Sequence, residues 1–366
     1  MLGVDARVEV YDAGFETHVG EGLGLLERVR AVVKSPGVPP RAPVVAVARA
    51  RGIPVLGEVE LGWRLIDRPF VAVTGTNGKS TVTEWTAHVA RLAGRDAVAA
   101  GNVGTPLSSL VASPPELVVC ECSSYQLFDT LAFAPEVAVL LNLGSDHLDW
   151  HGTLDHYASS KLQAFARQTA GQVAIAPARV AVPGAARRVD LVADWRATLP
   201  GDHNAMNAGA VAAVCTALGV DEHTVEEGLR SFGGLAHRLQ LVRERRGVLW
   251  VDDSKATNVA STLTALEATL PPVHLILGGD DAKREDFSPL ADRAACAYLV
   301  GAAAGRLAEE VGGERCGDLE TAVARAAVAA GPGDTVLLSP ACASYDQFTD
   351  YQERGRRFAA LVEALA

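Results

Sequence analysis

The sequence predicts an α/β protein of several domains with largely parallel sheets. Short β-branched runs alternate with amphipathic segments along nearly the whole chain. The 366 residues amount to two to three domains at roughly 150 residues each. Hydrophobic residues at 49% and charged residues at 21% belong to a soluble globular chain and exclude extensive disorder. Three domains are expected: a truncated Rossmann-like N-terminal domain over 1–68, a central P-loop-type domain over 69–236, and a C-terminal Rossmann-like domain over 237–366. The first boundary falls at Arg68-Pro69, before a strand that opens a nucleotide-type unit. The second follows a helix and contains the Gly233-Gly234 break.

The strand-like runs lie at 8–11, 70–73, 117–120, 137–141, 248–251, 274–277 and 335–338. Between 83 and 93, Trp85, Val89 and Leu92 share one helical face, and Gly94 is placed to cap the helix. The N-terminus departs from its expected pattern. A Rossmann-like half-domain should open with a strand, a glycine-rich turn and a helix. Here Leu2-Gly3 reads as the end of a helix running into a strand that finishes at Asp12, so the first βα unit is expected to be missing. A start codon assigned too far downstream, or truncation, explains this better than a natural protein lacking the unit. Gly20-x-Gly22-x-Gly24 has neither a convincing strand before it nor the G-x-G-x-x-G spacing, and reads as a surface loop.

With 33 basic and 44 acidic residues the net charge is −11, which opposes nonspecific attraction to nucleic acid or anionic membrane. A phosphate-bearing ligand must therefore be held by local groups. No apolar run is long enough to cross a bilayer and no signal-peptide pattern opens the chain, so a cytoplasmic protein without membrane insertion is expected. The six cysteines are scattered, as reduced core thiols are, and Cys120-x-Cys122 lacks the second pair that a metal site needs. Only five of the 33 basic residues are lysine: Lys34, Lys79, Lys161, Lys255 and Lys283. A chain that otherwise uses arginine is expected to keep lysine where a compact charge or a modifiable amine is required.

The strongest local signal is Thr74-Gly75-Thr76-Asn77-Gly78-Lys79-Ser80-Thr81, set between a strand and a helix. Glycines let backbone N–H groups turn toward phosphate oxygens, Lys79 supplies a point charge at the terminal phosphates, and Ser80 or Thr81 can reach Mg²⁺. Val73 stands where the common P-loop pattern has its first glycine.

This loop resembles the ATP loop of the Mur ligase and folylpolyglutamate synthetase superfamily of ATP-dependent amide ligases. Gly101-Asn102-Val103-Gly104, Glu121 to Leu127, Asp146-His147-Leu148-Asp149, Lys161, His203-Asn204-x-x-Asn207 and His237-Arg238 extend the resemblance. Asp252 to Asn258, Leu277 to Asp280 and Ser339 to Phe348 resemble the branch that adds D-glutamate. The likeness implies a reaction in which ATP phosphorylates the carboxylate of UDP-N-acetylmuramoyl-L-alanine, and the amine of D-glutamate then displaces phosphate. It implies two Mg²⁺ ions, held by Ser80, Glu121, His147 and a carbamylated Lys161. Gly75 to Thr81 with Asn204, Asn207, Arg238 and Asp253 would bind ATP. Asp12, Ser35, Gly37, Asn102 and His147 would meet the UDP-substrate, and Lys255, Thr257, Lys283, Ser344, Tyr345 and Tyr351 the D-glutamate. The loop before Lys283 is one residue longer than expected, and Tyr351 stands where phenylalanine is expected. A monomer is expected, with weak UDP-substrate binding if the first βα unit is absent. Two readings remain beside this one: another ligase of the superfamily, and a catalytically silent ATP-binding scaffold. Lys79, Glu121, His147 and Lys161 together argue against the scaffold.

Overall fold

The computed structural model describes residues 2–5, 16–144, 146–195, 199, 201–282 and 284–365, with backbone alone for 2–5, 16–19, 149 and 202. The chain divides into two compact units, Met1–Thr198 with Asp202–Phe232, and Leu199–Gly201 with Gly233–Ala366. Among the described residues no helix is long and apolar enough to cross a membrane.

The first unit contains β1 (Leu2–Asp5), β2 (Glu16–Val19), β3 (Val32–Lys34), β4 (Val55–Gly57), β5 (Phe70–Thr74), β6 (Ala97–Gly101), β7 (Leu117–Glu121), β8 (Val137–Leu140), β9 (Val173–Ala176) and β10 (Arg187–Asp190). β1 pairs with β2 and β3 with β4, both in parallel. The other six form one parallel sheet in the order β10-β9-β8-β5-β7-β6. Every residue of β5, β7, β8 and β9 is buried, as befits strands covered by helices on both faces. The contiguous apolar runs of β5, β7 and β8 are what made them readable in the sequence, whereas β9, equally buried, is not among the predicted runs.

Two features of the N-terminal segment differ from expectation. Leu2-Gly3 begins a strand and not the end of a helix, because the ladder to Glu16–Val19 takes up its backbone groups. Gly20-x-Gly22-x-Gly24 does directly follow a strand, β2, and leads into the 3₁₀ turn Leu23–Arg28. The predicted strand at 8–11 and Asp12 lie outside the described residues.

The helix Lys79–Leu92 starts four residues before the segment read as helical and buries Trp85 and Val89. Leu92 instead stays 44% exposed. Gly94, at φ +81, ends it. Gly94 N–H bonds to Arg91 O and Arg95 N–H to Ala90 O, the paired pattern that a left-handed glycine permits.

The second unit contains β11 (Gln240–Arg245), β12 (Val248–Asp252), β13 (Val273–Gly278), β14 (Cys296–Val300), β15 (Glu314–Gly317) and β16 (Thr335–Leu338), ordered β11-β12-β16-β13-β14-β15. All pairs are parallel except β11 with β12. Separate apolar clusters cover its two faces, one around Leu275, Leu277, Phe287 and Leu307, the other around Trp250, Ile276, Val336 and Phe358. Cys120 and Cys122 are buried thiols with sulfurs 3.5 Å apart.

Candidate active site

In the first unit the order of the six-stranded sheet reverses around β5, whose neighbours are β8 and β7. Parallel α/β sheets bind ligands in the crevice at the carboxyl ends of strands at such a point. The segments after β5, β6, β7 and β8 meet there around a cavity of about 270 Å³, lined by Lys79, Asn102, Ser123, Ser124, Tyr125, His147, Tyr157 and Lys161. Four of these, Lys79, Asn102, His147 and Lys161, are residues the sequence singled out.

The loop after β5 is held from below. Asn142 Oδ1 accepts from Thr76 N (3.1 Å) and Asn77 N (2.9 Å), while its amide donates to Asn77 O (3.2 Å). Thr76 Oγ1 accepts from Gly144 N (2.8 Å) and lies 3.1 Å from Tyr157 OH. Gly78, at φ +83, turns the chain into the helix, and its Cα is so close to Asn207 that a Cβ would come within 2.5 Å of Asn207 Oδ1. Asn207 in turn donates to Asn204 Oδ1 at 3.0 Å. The two asparagines expected to bind ATP are thus buried in the helix Asp202–Ala217, one of them braced against the phosphate-type loop.

Two lysines converge on one carbonyl. Lys79 Nζ donates to Gly75 O (3.0 Å) and Thr76 O (2.8 Å), and Lys161 Nζ donates to Gly75 O (2.8 Å). Lys161 sits at the end of the helix Leu154–Leu162 with 1% exposure. Burial, reinforced by the Lys79 charge, pulls its amine down to about 7. An amine so placed is substantially neutral near pH 7, and therefore nucleophilic.

Glu121 ends β7 and is 2% exposed. Its Oε1 accepts from Asn102 Nδ2 at 2.9 Å, whereas Oε2 is buried without a hydrogen-bond partner. An orphaned buried carboxylate oxygen is costly unless something else fills its coordination. Ser80, 4% exposed in the first turn of the helix Lys79–Leu92, supplies a second hard oxygen. These donors fit Mg²⁺, which prefers oxygen and takes few protein ligands alongside substrate phosphates. No cluster of three or more His, Cys, Asp or Glu side chains that could hold a metal ion occurs among the described residues. His147 adopts φ +53, and its Nε2 lies 3.4 Å from Asp146 Oδ2. Lys161 as an ammonium does not fit a cation; as a carbamate it would.

Other expected residues lie elsewhere. Ser35 and Gly37 are exposed in the loop after β3 and do not line the cavity. Lys34 beside them is buried, paired with Asp129 at 2.6 Å and bonded to Val38 O at 2.9 Å. Arg49 reaches the other oxygen of Asp129 at 2.7 Å. Burial still pushes the Asp129 carboxyl above its ordinary value despite both cations.

In the second unit the described expected residues gather after the carboxyl ends of β12 and β16, beside that of β13. Asp253 accepts from Ser339 Oγ (2.8 Å) and Leu239 N (3.2 Å), and burial pushes its carboxyl up to about 7. Arg238, on the turn before β11, is close enough to Asp253 to oppose that rise. Lys255 Nζ stands 5.3 Å over the Tyr351 ring, Ser344 is buried, and Tyr345 is 72% exposed. Thr257 lies two residues beyond Lys255 in the same loop, and Lys283 falls outside the described residues. Sequence reasoning missed Arg354. Its guanidinium, 2% exposed, donates to Ser254 Oγ and O, Cys342 O, Ala343 O and Gly278 O over 2.8–3.4 Å, tying together the loops after the three strands. A larger cavity, about 440 Å³ and lined by Cys296, Tyr298 and Glu314 among others, opens near the amino ends of β14 and β15, the wrong end for substrate.

Comparison with known proteins agrees with this geometry. Residues 73–188 match the Mur ligase middle domain and residues 237–342 the Mur ligase, glutamate ligase domain. The chain is 42% identical over 397 residues to UDP-N-acetylmuramoylalanine–D-glutamate ligase of Sphingopyxis alaskensis, covering 99% of this chain and 91% of that protein. It is 43% identical over 388 residues to the enzyme of the same name from Anaeromyxobacter dehalogenans, covering 90% and 83%. Among solved structures, UDP-N-acetylmuramate-alanine ligase MurC of Thermotoga maritima aligns with TM-score 0.63 at 18% identity over 96% of this chain and 89% of that one. The MurF ligase of the same organism, solved with ADP, has the same TM-score and identity over 93% and 97%. On the strength of its two domain matches and of these relatives, the chain belongs to the Mur ligase family.

Proposed function

We propose that this protein is an ATP-dependent ligase that joins D-glutamate to UDP-N-acetylmuramoyl-L-alanine in peptidoglycan precursor synthesis. The observation that carries the reading is the cavity of the first unit, where Lys79, His147 and Lys161 meet beside the orphaned Glu121 carboxylate. The relatives of that name, 42% and 43% identical, support it. Residues 1–68 would hold the UDP-substrate, 69–236 ATP and 237–366 the amino acid, in a monomeric, cytoplasmic protein.

Lys79 balances charge on the terminal phosphates, and Ser80 and Glu121 would hold Mg²⁺. Mg²⁺, when bound, neutralises phosphate charge and makes the terminal phosphoryl group more electrophilic. The substrate carboxylate attacks it and ADP leaves, giving an acyl phosphate. The amine of D-glutamate, oriented by Lys255, Thr257, Lys283, Ser344, Tyr345 and Tyr351, attacks the acyl carbon, and phosphate departs. Asn204, Asn207, Arg238 and Asp253 serve the nucleotide; Asp12, Ser35, Gly37 and Asn102 serve the UDP-substrate. His147 and a carbamylated Lys161 would hold a second Mg²⁺. The neutral Lys161 amine can add to CO₂, forming the N–C bond and releasing a proton, and the resulting carbamate is the anionic oxygen donor that an ammonium is not. Lys161→Ala is then inactive and partly restored by small carboxylates; failure of both would remove the carbamate.

The test of the whole is phosphate release with ATP, Mg²⁺ and UDP-N-acetylmuramoyl-L-alanine, adding D-glutamate, L-glutamate or meso-diaminopimelate in parallel. Dependence on D-glutamate is expected. Stimulation by diaminopimelate instead would assign another ligase activity, and no stimulation by any of them would favour a silent scaffold.

A further inference from the structure

Behind the cavity lies a hydrogen-bonded chain that the ligase reading leaves unused. Ser124, the first residue of the helix Ser124–Phe128, is 1% exposed and belongs to the cavity wall. Its Oγ is 2.9 Å from His151 Nε2, and His151 Nδ1 is 3.1 Å from His156 Nδ1. Among the described residues the Ser124 hydroxyl has His151 as its one hydrogen-bond partner, although a hydroxyl can donate once and accept twice. A buried polar group with capacity left over, in the wall of a cavity, is suited to a ligand.

Aromatic packing fixes both imidazoles. Tyr125 stacks on His151 at 5.6 Å and 16°, Trp150 contacts its edge at 4.4 Å, and Phe128 meets His156 at 5.2 Å. Two Nδ1 atoms at 3.1 Å require one N–H and one lone pair between them. The position of that single proton determines what Ser124 presents. If His156 donates, His151 carries its proton on Nε2, donates to Ser124 Oγ, and leaves the Ser124 O–H free to donate. If His151 donates from Nδ1, its Nε2 must accept from Ser124, which then offers the cavity lone pairs alone.

The Lys79 amine lines the cavity and on the ligase reading the group that enters is a carboxylate, and an anion selects the donor form. We propose that Ser124 is a substrate-binding residue whose O–H donates to the carboxylate of the UDP-linked substrate, with His151 and His156 as positioning residues that hold it as a donor. This rests on the ligase reading for the carboxylate, whose charge sets the direction of the hydrogen bonds, and on geometry for which atoms pair.

The experiment is a double-mutant cycle in the full chain, read by D-glutamate-dependent phosphate release. Ser124→Ala is expected to raise KM for UDP-N-acetylmuramoyl-L-alanine about tenfold, in line with loss of a hydrogen bond to a charged group, with KM for ATP unchanged. His156→Phe should raise the same KM, His156→Asn should restore it, and His156→Phe should have no further effect in the Ser124→Ala background. An unchanged KM in Ser124→Ala, or equal effects of His156→Phe in both backgrounds, overturns the proposal. Absence of turnover in the wild-type chain would instead refute the ligase reading. The relay is then decided by imidazole ¹⁵N NMR of the wild-type protein saturated with UDP-N-acetylmuramoyl-L-alanine: His151 protonated on Nε2 alone supports it, and the opposite tautomer or an averaged one overturns it.

Discussion

Gly78 is where the loop geometry can be challenged most directly. It holds φ +83, and a Cβ there would approach Asn207 Oδ1 to 2.5 Å and Leu141 Cδ1 to 3.2 Å. Placing an L side chain in the left-handed region costs about 1–2 kcal/mol. Asn207 would also have to withdraw and give up its 3.0 Å bond to Asn204, at about 1 kcal/mol. Gly78→Ala should therefore destabilise the first unit by about 2–3 kcal/mol, lowering its Tm by roughly 5–10 °C for a unit of this size. Calorimetry would read the melt, and the steady-state KM for ATP should rise in parallel because the loop shifts. The decisive comparison is the Asn207→Ala background, where the clash is gone and about 1–2 kcal/mol of conformational cost remains. Equal losses in the two backgrounds would refute the claim that Asn207 braces the loop.

Three other outcomes are expected. Glu121→Gln keeps the contact to Asn102 but removes the charge, so Mg²⁺-dependent turnover should fall by about two orders of magnitude while the Tm holds or rises; a Mg²⁺ titration with a thermal melt checks both, and a destabilised but active variant would contradict the reading. Arg354→Lys replaces five donors with three and should cost about 2–4 kcal/mol in urea unfolding, raising KM for D-glutamate and leaving that of the UDP-substrate alone. Asp253 has its carboxyl raised from 3.8 to about 7 in the folded state, so between those values the folded chain binds the extra proton and stability falls as pH rises through the window. Asp253→Asn should flatten that slope in a Tm–pH series, and an unchanged slope would show that Asp253 is not its source.

The parts legible in the sequence were those with a local signature. Buried parallel strands such as Phe70–Thr74 and Leu117–Glu121 are unbroken apolar runs, and the strand-loop-helix around Lys79 carries its glycines and lysine in one octapeptide. Asn142 and Arg354 carry no such mark. Each acts across a long separation, 66 residues to Thr76 and 100 to Ser254, and an asparagine after a strand or an arginine in an amphipathic helix looks ordinary until the fold closes. Lys34 illustrates the reverse hazard. A lysine in a Ser-Pro-Gly loop suggests an anion site, yet its amine is committed to Asp129, 95 positions away by residue number, a pairing that no local pattern announces. The Leu2-Gly3 pair misled for a related reason, since four residues show no period and their ladder partner decides their state.

Four of the five acceptors on Arg354 are main-chain oxygens, those of Ser254, Gly278, Cys342 and Ala343. A carbonyl is the same group in every residue, so the bonds that shape these three loops are blind to the side chains the loops display. Selection can then alter which amino acid the loops accept, one substitution at a time, over a backbone template that does not change. In a family whose members differ in the residue they add, an arginine of this kind separates inheritance of the loop's form from divergence of its preference.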